Sequence, residues 1–210
     1  MSRSAAPIVK GYLYQFQNSA IEILSLPHEL DTATFEDSQD LDLHTASGTI
    51  AIQYKHNPAS FIDAARIRQT ILDMLLDFSQ SRIRKKYKFV VYAPVYAEIS
   101  LRTVKDIRKL AKYKSKGIEC DFIKEHAISG ETLRHFVKAL TFEIGSSFEE
   151  SNDQLVAKLS EVFECSIEDA RRYFYPAAIE LCFRLAARLT PKDRTISKKA
   201  FCEEVSRATR

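Results

Sequence analysis

The sequence predicts an α/β fold, an open mixed central sheet flanked by helices, with a C-terminal helical extension. Three observations carry this. Over residues 1–126 apolar residues recur alternately at helical and strand spacing, in the order α, β, β, β, α, β, α, β. Residues 41–56 alternate oil and polar groups across a tight turn at Ala46-Ser47-Gly48-Thr49, the pattern of a hairpin. Residues 127–210 then turn almost wholly helical, and no Gly/Ser linker separates them, so they are expected to pack on the core.

The elements follow in order. From Gly11 to Leu26, Tyr12, Phe16, Ala20, Ile23 and Leu24 share a helix face, and Pro27 stops the helix. Thr32 to Glu36 reads as a short strand, and Leu41–Thr45 with Thr49–His56 as the hairpin. Asn57-Pro58 breaks the strand, and Ser60 is placed to cap a helix to about Gln80 with Ile67, Ile71, Leu72 and Leu75 in its buried stripe. Lys88 to Tyr92 reads as a central strand bounded by Pro94. A basic amphipathic helix over Ser100–Lys114 ends at Gly117, before a strand over Ile118–Ile123. Beyond it, Ser129 or Gly130 opens a helix to about Leu140, Thr141–Ile144 adds an edge strand, and Ser151–Leu189 is a helical pair broken near Cys165-Ser166. Ser197 caps a last helix to Arg207.

The hairpin carries the chemistry. A two-residue loop at Ser47-Gly48 sets Asp42 opposite Gln53 and Asp40 opposite Lys55. Side chains alternate along a strand, so Asp40, Asp42, His44, Gln53 and Lys55 share one face and Leu41, Leu43, Ile50, Ile52 and Tyr54 the other. Two carboxylates, an amide oxygen and an ammonium together can hold a hard divalent cation beside a phosphate. In that setting Lys55 orients or helps deprotonate the attacking water and balances charge on the phosphorane.

Charge is unevenly spread behind a formal net of +3. Between Gly11 and Tyr54 stand seven acidic residues and no Lys or Arg, whereas Arg82 to Lys116 holds twelve Lys and Arg against Glu98 and Asp106. A negative pocket followed by a positive surface suits a metal-dependent enzyme acting on a polyanion. Arg82, Arg84, Lys85, Lys86 and Lys88 are candidates to track a nucleic-acid backbone, and His56 to contact phosphate. The residues Cys120, Cys165, Cys182 and Cys202 form no CxxC pair, which leaves them as free thiols of a reducing compartment. No membrane span, signal peptide, glycine-rich phosphate loop or Ser-His-Asp order is present, and a cytoplasmic location is expected.

Helix, three-stranded meander, helix and strand, with an acid on the second strand and Gln-x-Lys on the third, resembles the PD-(D/E)xK restriction-endonuclease-like nucleases. The likeness is strongest to their Gln-x-Lys variants and to the nuclease effector domains joined to SAVED sensors in CBASS and related bacterial anti-phage systems. It rests on Gly11-Tyr12-Leu13-Tyr14-Gln15, on Phe35-Glu36 before Gln39-Asp40-Leu41-Asp42-Leu43, and on Ile52-Gln53-Tyr54-Lys55-His56. The resemblance implies a restriction-endonuclease-like fold and a Mg²⁺- or Mn²⁺-dependent endonuclease that hydrolyses phosphodiester bonds of double-stranded DNA with little sequence preference. The family's acidic ligand maps to Asp40 or to Asp42, with Asp40 favoured, and Gln53 replaces the commoner glutamate. Glu22 on the first helix, or Asp42, would restore the charge so lost. Nothing after Leu189 resembles a SAVED module, so the chain is expected to be an excised effector domain, a homo-oligomer, or a nuclease gated by a separate sensor or regulatory subunit. The rival reading is a non-catalytic nucleic-acid-binding or adaptor protein of a defence complex, and a third is an RNA-directed nuclease.

Overall fold

The structure is a computed structural model that describes residues 5–57, 61–81, 83, 85–96 and 99–209. Pro7 in its first turn starts α1 (Ala6–Leu24), where a missing N–H costs nothing. Then come β1 (Thr32–Phe35), β2 (Leu41–Thr45), β3 (Gly48–His56) and the two-residue β4 (Phe61–Ile62). Asp63 caps α2 (Ala64–Gln80) by accepting from the Arg66 N–H. The expected cap, Ser60, lies outside the described residues. Next are β5 (Lys85–Tyr92), β6 (Val95–Tyr96), and α3 (Val104–Leu110), opened by a Thr103/Asp106 capping box.

The basic segment expected as one helix to Lys114 divides after Leu110. Lys112–Ser115 (β7) folds back on Ile118–Asp121 (β8) as a separate antiparallel ribbon, which joins no other strand. Gly117, at φ +84°, and Lys116, at φ +49°, make that reversal, so the glycine turns a hairpin instead of ending a helix. The chain continues through α4 (Phe122–Glu125), α5 (Gly130–Ala139, capped by Ser129), β9 (Leu140–Ile144) and α6 (Phe148–Val162). A one-turn α7 (Ile167–Asp169) runs through a π-helical segment, Ala170–Phe174, into α8 (Tyr175–Ala186). The short β10 (Thr195–Ser197) precedes α9 (Lys198–Ala208), for which Ser197 is the cap as expected.

The main sheet has six strands in the order β10-β1-β2-β3-β5-β9. Pairs from β10 to β3 are antiparallel, and β5 and β9 run parallel to β3. Both edge strands come from beyond residue 126, so the C-terminal third supplies part of the sheet as well as helices. One face packs on α1, α6, α8 and α9 through Tyr14, Leu41, Ile52, Leu159, Leu181 and Phe201. The other packs on α2, α3 and α5 through Ile71, Leu72, Phe89, Ile107 and Phe136. The sheet is thus a doubly covered layer.

The hairpin register differs from the expected one by two residues. Thr45 pairs with Gly48, leaving Ala46-Ser47 as the loop, so Asp42 faces Ala51 and Leu41 faces Ile52. The Thr45 hydroxyl accepts from the Ser47 N–H at 3.2 Å and donates to the Gly48 carbonyl at 3.1 Å, which closes the turn one step earlier. A two-residue slip preserves side-chain parity, so the apolar set Leu41, Leu43, Ile52 and Tyr54 still faces the α1 core.

Candidate functional site

Where β1 ends, Glu36 takes φ +49° and its N–H bonds the Asp40 carbonyl at 3.1 Å, bending the chain into β2. Asp40 sits one residue before β2, and its carboxylate takes the place of the missing strand. Oδ2 accepts the Tyr54 N–H at 2.8 Å, and the Gln53 carboxamide lies near enough to favour the ionised carboxylate. Gln53 Nε2 lies 3.5 Å from the Tyr54 carbonyl. From α1, buried Gln15 donates Nε2 to Glu36 Oε1 at 2.8 Å. Two hydrogen-bonded sets, Gln15 with Glu36 and Asp40 with the Tyr54 backbone, thus lie where α1, the β1–β2 turn and β3 adjoin, and the Glu36 charge acts on Asp40.

Burial pushes the Asp40 carboxyl up to about 7, and the Glu36 charge adds to the rise, while the Tyr54 N–H and Gln53 pull against it. Among the described residues no Lys or Arg forms an ion pair with Asp40 or Glu36. A desolvated Asp40 beside Glu36, with no ion-pair partner among the described residues, fits a bound divalent ion. Among the described residues no group of three or more His, Cys, Asp or Glu side chains is arranged to hold a metal. A metal here would use the Asp40 carboxylate, oxygens of Gln53 and Tyr54, and water, a set that suits Mg²⁺ because it retains several waters.

Lys55 is not level with Asp40, because the register brings Gln53 to that position instead. Its ammonium donates to the Arg66 carbonyl in the first turn of α2 at 3.0 Å. Burial lowers its pKa, and the Arg66 charge lowers it further. Asp42 is committed elsewhere. It is 1 % exposed, accepts the Ser38 hydroxyl at 2.9 and 2.8 Å on its two oxygens, and lies 3.9 Å from Lys85. Burial raises its pKa against the pull of Ser38 and Lys85.

Glu22 does not join the cluster. It pairs with Lys88 at 2.9 Å, and Lys88 in turn reaches Glu143 at 3.1 Å. Lys88 stands level with Ile52 in the β3–β5 register, so this triad belongs to the α1 face of the sheet. Burial pulls the Lys88 ammonium down, but the two glutamates outweigh it and the net shift is upward. Lys88 is therefore spoken for, as is Lys85, between Asp42 and Asp77. Lys86 is exposed beside Lys138 and His135. Arg82 and Arg84 lie outside the described residues.

His56 is a packing residue. Its ring lies 4.8 Å from that of Tyr14 and 5.3 Å from that of Tyr92, its Nδ1 is buried without a partner, and burial followed by the Lys10 charge lowers its pKa. The cysteines are free, and burial pushes the Cys182 thiol far up. Gln15 and Glu36 were missed as site residues. Their sequence signal is their place in two of the strings that carry the resemblance, Gln15 closing Gly11–Gln15 and Glu36 following Phe35.

No protein-family model and no curated protein sequence matches the chain. Solved structures do. The Acinetobacter baumannii Cap4 SAVED/CARF-domain containing receptor with the cyclic trinucleotide 3'3'3'-cAAA is similar with a TM-score of 0.56 at 13% identity, over 99% of this chain and 45% of that one. The same receptor with 2'3'3'-cAAA gives 0.56 at 12% identity, over 99% and 46%. The Moraxella osloensis Cap4 SAVED/CARF-domain containing receptor gives 0.54 at 10% identity, over 94% and 46%. The likeness is one of fold, and this chain spans slightly under half the length of those receptors. Among the described residues no helix is long and apolar enough to cross a membrane.

Proposed function

We propose that the chain is the nuclease part of an anti-phage defence protein, a Mg²⁺- or Mn²⁺-dependent endonuclease of the PD-(D/E)xK, restriction-endonuclease-like type that cuts double-stranded DNA. The observation that carries this reading is the Asp40 carboxylate, held against Gln53 and Tyr54 beside Glu36 with no ion-pair partner among the described residues. The fold likeness to Cap4 SAVED/CARF-domain containing receptors of about twice the length supports a module that works with a sensor.

Asp40 and Gln53 would hold the ion, and Glu36, rather than Glu22 or Asp42, is the second carboxylate beside it. When bound there, the metal supplies Lewis acidity to the scissile phosphate. Gln15 fixes Glu36, and the Tyr54 N–H fixes Asp40, so both acids are oriented before substrate arrives. Lys55, anchored at the Arg66 carbonyl with a lowered pKa, is the amine suited to exchange a proton with water near the strand end.

Plasmid nicking with Mg²⁺, Mn²⁺ or EDTA tests the reading with Asp40→Ala and Lys55→Ala beside the parent, and calorimetric Mn²⁺ titration reports the site apart from activity. Metal-dependent cutting lost in both folded variants, and Mn²⁺ binding lost in Asp40→Ala, is the expected result. DNA binding without cutting under every metal would make the chain an adaptor. Cyclic trinucleotide binding by the chain without cutting would make it a receptor part, and preference for single-stranded RNA would change the substrate.

A further inference from the structure

Between α1 and α8 the apolar surface is left open. Tyr12 is 54% exposed and Phe183 60%, while Phe16 between them is buried. The Tyr12 and Phe16 rings lie 6.3 Å apart at 28°, and Phe16 and Phe183 6.3 Å apart at 76°. These rings pave a groove of about 560 Å³, within the range that seats small organic ligands. Helical spacing puts Tyr12 on one face with Phe16 and Ala20. The structure turns it outward, while Phe16 packs edge-on against Phe183 of α8.

The polar lining of the groove is Glu36 and Arg194. Arg194 is fixed beside β1 by its own carbonyl, which accepts the Phe35 N–H at 3.2 Å, yet its side-chain Nε is buried without a hydrogen-bond partner among the described residues. Arg188, next to Ala187 of the groove wall, is exposed and donates to the Asp193 carbonyl at 2.7 Å. Neither arginine forms an ion pair with a described acid. Glu36 is the carboxylate that Gln15 holds beside Asp40. The groove therefore reaches Glu36, whose charge acts on Asp40.

Aromatic faces bordered by unpaired arginines are suited to bases and phosphates of a single strand, because every base has a π face and every phosphate a charge. Arg194 in the lining, with a buried Nε that has no hydrogen-bond partner among the described residues, is the group that favours an anionic occupant over a purely apolar one. We propose that this groove seats an unpaired nucleobase of the strand whose phosphate lies at Asp40, with Tyr12 and Phe183 against the base and Arg188 and Arg194 toward the neighbouring phosphates. The proposal deepens the nuclease reading and rests on it. It implies that a duplex must be opened locally before its strand is seated.

Fluorescence anisotropy in EDTA tests it without any cutting. The probes are a labelled single-stranded DNA of about eight nucleotides and the same strand with its central bases removed. The intact strand should bind the parent protein about ten-fold more tightly than the abasic one, given what one stacked base contributes. Tyr12→Ala and Phe183→Ala should erase that preference, Tyr12→Phe should keep it, and Arg188→Ala should weaken both strands alike. Equal binding of the two strands by the parent, no binding of either, or a preference that survives in folded Tyr12→Ala would overturn the proposal. A Tyr12→Ala change confined to sedimentation, from dimer to monomer, would assign the groove to a second copy and overturn it too. A base preference in protein that never cuts would retain the groove and remove the nuclease.

Discussion

Asp40→Asn in metal-free protein tests the site through stability. The parent carboxyl is pushed from 3.8 to about 7, first by burial and then by Glu36. At 1.36 kcal/mol for each pKa unit, that rise corresponds to at most about 4 kcal/mol, and local relaxation with water reduces it to about 2–4 kcal/mol. The folded-state pKa lies above the unfolded one, so the stabilising contribution is complete below about pH 4 and is lost as pH climbs to about 7. Above that, ionised Asp40 opposes folding. Asparagine keeps an oxygen for the Tyr54 N–H and cannot ionise. In EDTA at pH 8 the variant should therefore be more stable by about 2–4 kcal/mol, or about 4–16 °C in melting temperature for a chain of this size. The gap should close near pH 4. Urea unfolding and thermal melts across that range measure it, and added Mg²⁺ should raise the parent more than the variant. A variant no more stable than the parent at pH 8 would refute the account of Asp40 as a carboxylate built to await a cation.

Other outcomes follow from the packing. Gly145→Ala places a methyl group against the Tyr14 hydroxyl and Val90 Cγ1, so a loss of about 1–3 kcal/mol is expected in urea unfolding, partly restored by Tyr14→Phe. Leu72→Ala empties a fully enclosed position under the sheet, and a loss of about 2–5 kcal/mol should appear in the same assay. Glu22→Gln removes one of two acids on Lys88, a part-exposed network, so calorimetry should show unchanged Mn²⁺ binding and unfolding should show a loss below about 1 kcal/mol. Loss of Mn²⁺ binding in that variant would return Glu22 to the metal site.

The sequence by itself determined what depends on near neighbours along the chain. The apolar stripe of α2, the alternation along β2 and β3 and the caps at Ser129 and Ser197 are all encoded within a few residues, where helical and strand periodicities act. Parity even survived a wrong hairpin register, because a slip of two leaves each side chain on its face. Partners were a different matter. The same Lys88 that reads as a phosphate contact is held by Glu22 and Glu143, from elements 66 positions back and well ahead in the chain. Gln15 meets Glu36, Lys55 meets the Arg66 carbonyl, and three-residue β10 finds β1 only because the sheet and its helices are already assembled. Charge and hydrogen-bonding capacity are written residue by residue, but which groups neutralise one another is set by which elements pack. Only the tertiary structure could leave Asp40 and Glu36 without an ion-pair partner among the described residues and open the groove that Glu36 lines.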